Sequence, residues 1–134
     1  MESMNKEEKF QRGILHFNAA EFFEAHEVWE EMWLEEAEPE KTFLQGIIQI
    51  AAAFHHYCRE NTDGTEALLA AGIVKLSRFP AVHRGLAIEE LRSAAKQWAR
   101  SIGKGEKPNR SEIPRLRFSE AHRKFVGLNS KDRR

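Results

Sequence analysis

The stretch FFEAHEVWEEMW, residues 22–33, decides the fold. A helix turns by about 100° per residue, so faces follow from counting. Phe22, Ala25, His26, Trp29, Met32 and Trp33 fall on one side of such a helix. Glu24, Glu27 and Glu31 fall on the other. The apolar stripe is broad enough to face a core. His26 sits inside it, Glu30 lies at its border one turn later, and Glu27 lies nearer solvent. The spacing predicts a helix over about 21–36, with glutamates in the first turn, where the helix dipole favours negative charge.

Working outward, Pro39 stops this helix and opens the next. FLQGIIQIAAAFHHY, residues 43–57, belongs to a predicted helix over about 40–60. Phe43, Ile47, Ile50, Ala51, Phe54, Tyr57 and Cys58 make a wide apolar face. Gln45, Gln49, Ala52 and His56 line up on a separate strip, and His55 is displaced toward the opposite border. A short connection makes the two helices antiparallel neighbours. In so apolar a stretch the Gln–Gln–His strip is expected to be partly buried. An unpaired buried polar group costs about 1–3 kcal/mol, so the strip needs partners. His26, Glu27 and Glu30 are the nearest candidates.

The rest of the chain reads as helix and connector. Phe10, Ile14 and Phe17 recur on one face, predicting a helix over about 5–17. Asn61-Thr62-Asp63-Gly64 is a turn cluster, with Thr62 or Asp63 as cap of a helix over about 64–77 that carries Leu68, Leu69, Ile73 and Leu76. Pro80 ends that run. Leu86, Leu91, Ala94, Ala95, Trp98 and Ile102 predict a helix over about 84–101, stopped by Gly103. Residues 103–117, GKGEKPNRSEIPRLR, read as an irregular arm pinned by Ile113 and Leu116. FSEAHRKFVGL reads as a short helical turn. No strand alternation is evident. The expected fold is all-α: one domain over 1–134, a compact bundle of about five helices (core about 5–103) with an irregular basic C-terminal arm (104–134).

Totals narrow the function classes. The chain has 134 residues, of which 41% are hydrophobic, including nine Phe and three Trp. That suffices for one core without a disulfide or structural metal. The single cysteine, Cys58, excludes a disulfide framework and a cysteine zinc site, and fits a reducing compartment. MESMNKEEKF reads as neither a signal nor a transit peptide, and no apolar run approaches the roughly 20 residues of a membrane span. A cytoplasmic location and no membrane partner are therefore expected. Net charge is zero but unevenly placed: residues 20–40 hold nine Glu, and residues 100–134 hold eleven Lys/Arg against four Asp/Glu. Either the basic tail neutralises the acidic helix, or it binds nucleic acid; the overall neutrality and few aromatics favour the former. So many aromatic residues on helices are compatible with a homodimer.

Three readings fit the paired helices. In one, His26, Glu27, Glu30, Gln45, Gln49 and His56 form a buried structural network. In another they hold a divalent metal. HEVWE is similar to the zinc-protease pattern, but Glu30 stands where a second histidine belongs, leaving His26, Glu27, Glu30 and His56 as ligands. In the third they line a small-ligand pocket together with Glu24 and Trp33, with His26 as acid–base and the Trp side chains as walls. The main expectation is a polar pocket between the two helices that binds a ligand or partner. A metal-dependent hydrolase and a nucleic-acid accessory protein using the basic arm are the alternatives. Whether the domain is an enzyme stays open.

FNAAEFFEAHEVWEEMW (17–33), FLQGIIQIAAAFHHY (43–57) and GTEALLAAGIVKL (64–76), in this order and spacing, resemble the family catalogued as domain of unknown function 309. The resemblance covers about residues 10–80, with a weaker echo in PRLRF (114–118). The matching signature residues are Phe17, Asn18, Phe22, Glu24, His26, Glu27, Trp33, Gln45, Gly46, Gln49, Ala52 and His56. The resemblance implies a compact helical bundle of a type found in bacteria, archaea and plastids, and marks this surface as important. It implies no activity.

Overall fold

A computed structural model describes residues 4–122 of the chain. Five helices account for most of it: α1 (Lys6–Asn18), α2 (Phe22–Glu35), α3 (Glu40–Cys58), α4 (Thr62–Leu76) and α5 (Ile88–Gly103). The all-α bundle expected from the sequence is the fold observed. α1 starts with a capping box, in which Asn5 and Glu8 satisfy each other's backbone N–H groups. α2, α3 and α4 follow one another antiparallel, with α3 in the middle. Phe10, Phe17, Phe22, Trp29, Phe43, Phe54 and Trp98 anchor a single core. Trp29 is fully buried, and its Nε1 donates to the Phe10 carbonyl at 3.3 Å. α3 and α4 approach closely because Gly72 faces the Gly46 carbonyl, where an added Cβ would lie 3.0 Å from that oxygen.

Two boundaries depart from expectation. α4 begins at Thr62, capped by Asn61, whose Oδ1 accepts from Gly64 N at 3.0 Å. The expected cap at Thr62 or Asp63 lay one or two residues late. More consequentially, residues 82–87 are not the start of the last helix. Strands β1 (Val82–His83) and β2 (Leu86–Ala87) form a small antiparallel hairpin. Its turn holds both Arg84 (φ 52) and Gly85 (φ 80) in the left-handed region. Tight two-residue hairpins require this geometry. The usual Asn-Gly or Asp-Gly signal is absent, because an arginine occupies the first turn position.

The hairpin is clamped by side chains. His83 packs against Phe43 and Phe79, with centroids 4.5 and 4.9 Å away, and hydrogen-bonds Glu40. Arg84 pairs with Glu40 at 3.3 Å and Glu7 at 3.2 Å, its guanidinium 4.2 Å from the centre of the Phe10 ring. Arg92 closes the end of α4 by donating to the Leu76 and Phe79 carbonyls at 2.6 and 2.7 Å.

The arm is irregular, as expected, with one 3-10 turn at Arg110–Glu112. Leu116 is buried in the core and Ile113 packs at its edge. Beyond them the arm pairs with the hairpin: Ala87 N donates to Arg117 O at 2.8 Å, and Ser119 N to Gly85 O at 2.7 Å. The expected turn in FSEAHRKFVGL runs past His122, outside the described residues. Among the described residues the arm does not neutralise α2. Arg117 pairs with Glu90 of α5, while Lys9 of α1 reaches Glu31 at 3.4 Å and Lys6 reaches Glu36 at 3.7 Å. α1 is the helix beside α2 with lysines at the right spacing, and the arm crosses elsewhere.

Candidate functional site

Three contacts set the alignment of α2 on α3. Phe22 meets Phe54 (5.8 Å between centroids), Phe23 meets His55 (5.4 Å), and Lys41 covers Trp33, its Nζ 3.9 Å from the ring centre. The helices therefore run antiparallel with matched ends. His26 lies one turn inward from Phe23 on α2, and Gln49 lies between the ends of α3. Helical counting places Phe23, His26, Glu30 and Trp33 along the flank of α2 that turns toward α3. Gln45, Gln49, Ala52 and His56 lie along the outer strip of α3.

The individual environments differ. His26 Nε2 approaches Glu30 Oε2 at 3.7 Å, one turn along the same helix. Its ring stacks on Phe23, with centroids 6.2 Å apart. His26 Nδ1 is buried and has no hydrogen-bond partner, and the same is true of Gln49 Oε1. The first of these atoms lies on α2 and the second on the outer strip of α3, and among the described residues no hydrogen bond joins His26, Glu27 or Glu30 to Gln45, Gln49 or His56. His56 is engaged on the other side, where its Nδ1 lies 3.1 Å from Asn61 Nδ2 at the start of α4. Trp33 is half-buried beneath Lys41, whose ammonium also donates to the Trp33 carbonyl at 2.7 Å. Gln45 is half-buried, whereas Glu24 and Glu27 are exposed.

His55 and Phe23 belong to this surface more directly than sequence counting suggested. Phe23 is a large aromatic left 47% exposed between two imidazoles. His55 is held below the ordinary imidazole range, first by burial, then by the positive charge of Arg59 and the neighbouring His56 and His26; Glu24 opposes the shift. The available signal was the doubled aromatic Phe22-Phe23. One ring enters the core, and the next, a step of about 100° round, cannot. Among the described residues, no three His, Cys, Asp or Glu side chains are grouped so as to hold a metal ion.

Asn18 was marked in the sequence only by resemblance. Its amide donates to Leu116 O at 3.0 Å and accepts from Leu116 N at 2.7 Å. The PRLRF segment is thereby bound to the junction between α1 and α2.

These features define a class: a small helical domain whose antiparallel helices α2 and α3 carry His26 with Glu30 on one and Gln49 on the other. Residues 10–68, from α1 into α4, match the family described as Domain of unknown function (DUF309). That match falls within the stretch whose sequence resembles the same family. The chain is also 39% identical over 80 residues to "Uncharacterized protein YpuF" of Bacillus subtilis (strain 168), a match covering 58% of this chain and 43% of that protein. The chain thus spans less than half the length of that curated relative. No helix among the described residues is long and apolar enough to cross a membrane.

Proposed function

We propose that the domain works by recognition, binding a polar ligand or partner segment on the α2–α3 seam. The observation that carries this reading is the pair of buried, unpartnered atoms, His26 Nδ1 and Gln49 Oε1. A structural network would satisfy its own members, since each unpaired buried group costs about 1–3 kcal/mol. A recognition surface instead keeps such groups for its ligand, and stability is lower for it. Gln49 Oε1 accepts only, so its ligand must offer a donor. His26 Nδ1 takes either role, according to tautomer. Phe23 supplies an apolar edge beside His26, the usual companion of a few well-placed polar groups.

Protein-observed NMR with a panel of small amides and alcohols tests the reading. Shifts are expected to cluster on His26, Gln49, Phe23 and His55, and to vanish in Gln49→Met. Hits that ignore the seam, or persist in that variant, count against it. Zinc titrated into the same sample provides a further arm: near-stoichiometric perturbation of His26 and Glu30 would favour the metal reading instead.

A further inference from the structure

The arm presents a second chemistry on a different part of the molecule. A cavity of about 410 Å³ opens where the α1–α2 junction, the end of α3 and residues 110–115 meet. Its size falls within the range of about 300–1,000 Å³ typical of small-molecule sites. Phe17, Phe22, Ile113 and Pro114 give it apolar walls, and Arg110 and Arg115 give it two guanidinium groups. No carboxylate lines it among the described residues. Cys58 is the remaining reactive group there.

The arm is fixed on every side of this cavity. Tyr57 donates to the Pro108 carbonyl, Trp98 Nε1 to Glu112 O at 3.2 Å, and Asn18 holds Leu116 through two hydrogen bonds. Arg110 itself donates to the Cys58 carbonyl at 2.7 Å through one terminal nitrogen. That bond sets the plane of its guanidinium and leaves the other N–H groups to act elsewhere. Ala20, also on the cavity wall, is the left-handed residue (φ 63) that closes α1, with Glu21 N donating to His16 O at 2.8 Å. These contacts fix the backbone that carries Arg110 and Arg115 beside aromatic walls, which lowers the cost of ordering a site there.

We propose that this cavity binds an amphipathic organic anion: a carboxylate or phosphate head held by Arg110 and Arg115, with an apolar body against Phe17, Phe22 and Pro114. Guanidinium forks suit both heads, because each offers paired oxygens. The neighbouring cavity of about 350 Å³ shares Arg110 but includes the carboxylate of Glu60 in its lining, so it is less suited to an anion. The proposal is independent of the α2–α3 seam.

Calorimetric titration of the full chain with octanoate, octyl phosphate, octanamide and inorganic phosphate tests it. At least one amphipathic anion should bind about tenfold or more tightly than octanamide, and more tightly than inorganic phosphate. The tighter of the two anions identifies the head group. Arg115 is exposed, so Arg115→Met should keep the fold, as circular dichroism would verify, and lose about tenfold in affinity. Alkylation of Cys58 by iodoacetamide gives an independent readout: octanoate or octyl phosphate should slow it in the native chain and not in Arg115→Met. The proposal is overturned if neither anion binds saturably, if octanamide binds equally well, or if folded Arg115→Met binds as the native chain does.

Discussion

Asn18 and Leu116, 98 positions apart in the chain, are joined by two hydrogen bonds through one side-chain amide. The asparagine presents a carbonyl and an N–H group, as a paired backbone would, and so accepts the arm as an adjacent strand would. Removing it leaves both backbone groups of Leu116 unpaired. Asn18→Ala should cost about 1–3 kcal/mol, the penalty for buried groups losing their partners. The loss should be local first. Hydrogen exchange is expected to quicken across residues 108–118, and trypsin to cut sooner at Arg115 and Arg117, before α3 is affected. Unchanged cleavage kinetics would show that the arm is held without Asn18.

Gln49 separates a binding seam from a structural one. Gln49→Met removes the unpartnered Oε1 and keeps the side-chain length. If the seam serves recognition, the variant should be more stable by about 1 kcal/mol, since an unsatisfied polar atom is exchanged for an apolar one. A network role predicts the opposite sign. Urea denaturation of the variant and the native chain decides between them, provided the two transitions have equal slopes.

The histidine cluster gives stability a pH dependence. Burial and the positive neighbours lower the His55 pKa in the fold, so the unfolded chain binds the proton more readily. Its contribution is complete above the ordinary imidazole value of about 6.5 and is lost as pH falls through the lowered folded value. Melting temperature should therefore decline from about pH 6.5 downward, and His55→Gln should flatten that part of the profile. Glu38, bonded to Thr42, and Glu89, bonded to Arg92, are held below the carboxylate range. Their contributions fade only below about pH 4.5, in a separate window.

Gly13 is needed for space. A Cβ built there would lie 2.0 Å from Trp29 Nε1 and 2.4 Å from Cε2. Helix propensity alone favours Gly13→Ala by about 1 kcal/mol. Overpacking costs about 1–3 kcal/mol, and here the obstacle is the rigid ring of a fully buried tryptophan, so the clash should prevail. The variant should be less stable, with Trp29 fluorescence shifted as its bond to Phe10 O is lost. A gain in stability would mean that the core can shift the ring at little cost.

The amino-acid order alone determined the helices. Apolar residues at spacings of three and four put Trp29, Phe43 and Phe54 inward, and Pro39 and the Asn61–Gly64 cluster separated the segments. The antiparallel α2–α3 pair, and the alignment of Gln45, Gln49 and His56 along one strip of α3, were legible for the same reason, because local periodicity fixes a helix face. Tertiary structure decided what those faces meet. Phe23 and His55 join across the seam through helix alignment, which periodicity does not encode. His56 turns to Asn61 because α4 supplies a partner there. The hairpin at Arg84-Gly85 forms although its turn signal is weak, since Glu7, Glu40 and Phe43, all distant in sequence, hold His83 and Arg84. The arm has too little periodicity to be placed at all by counting. Its course depends on Asn18, Tyr57 and Trp98, residues contributed by helices that come together only when the core closes.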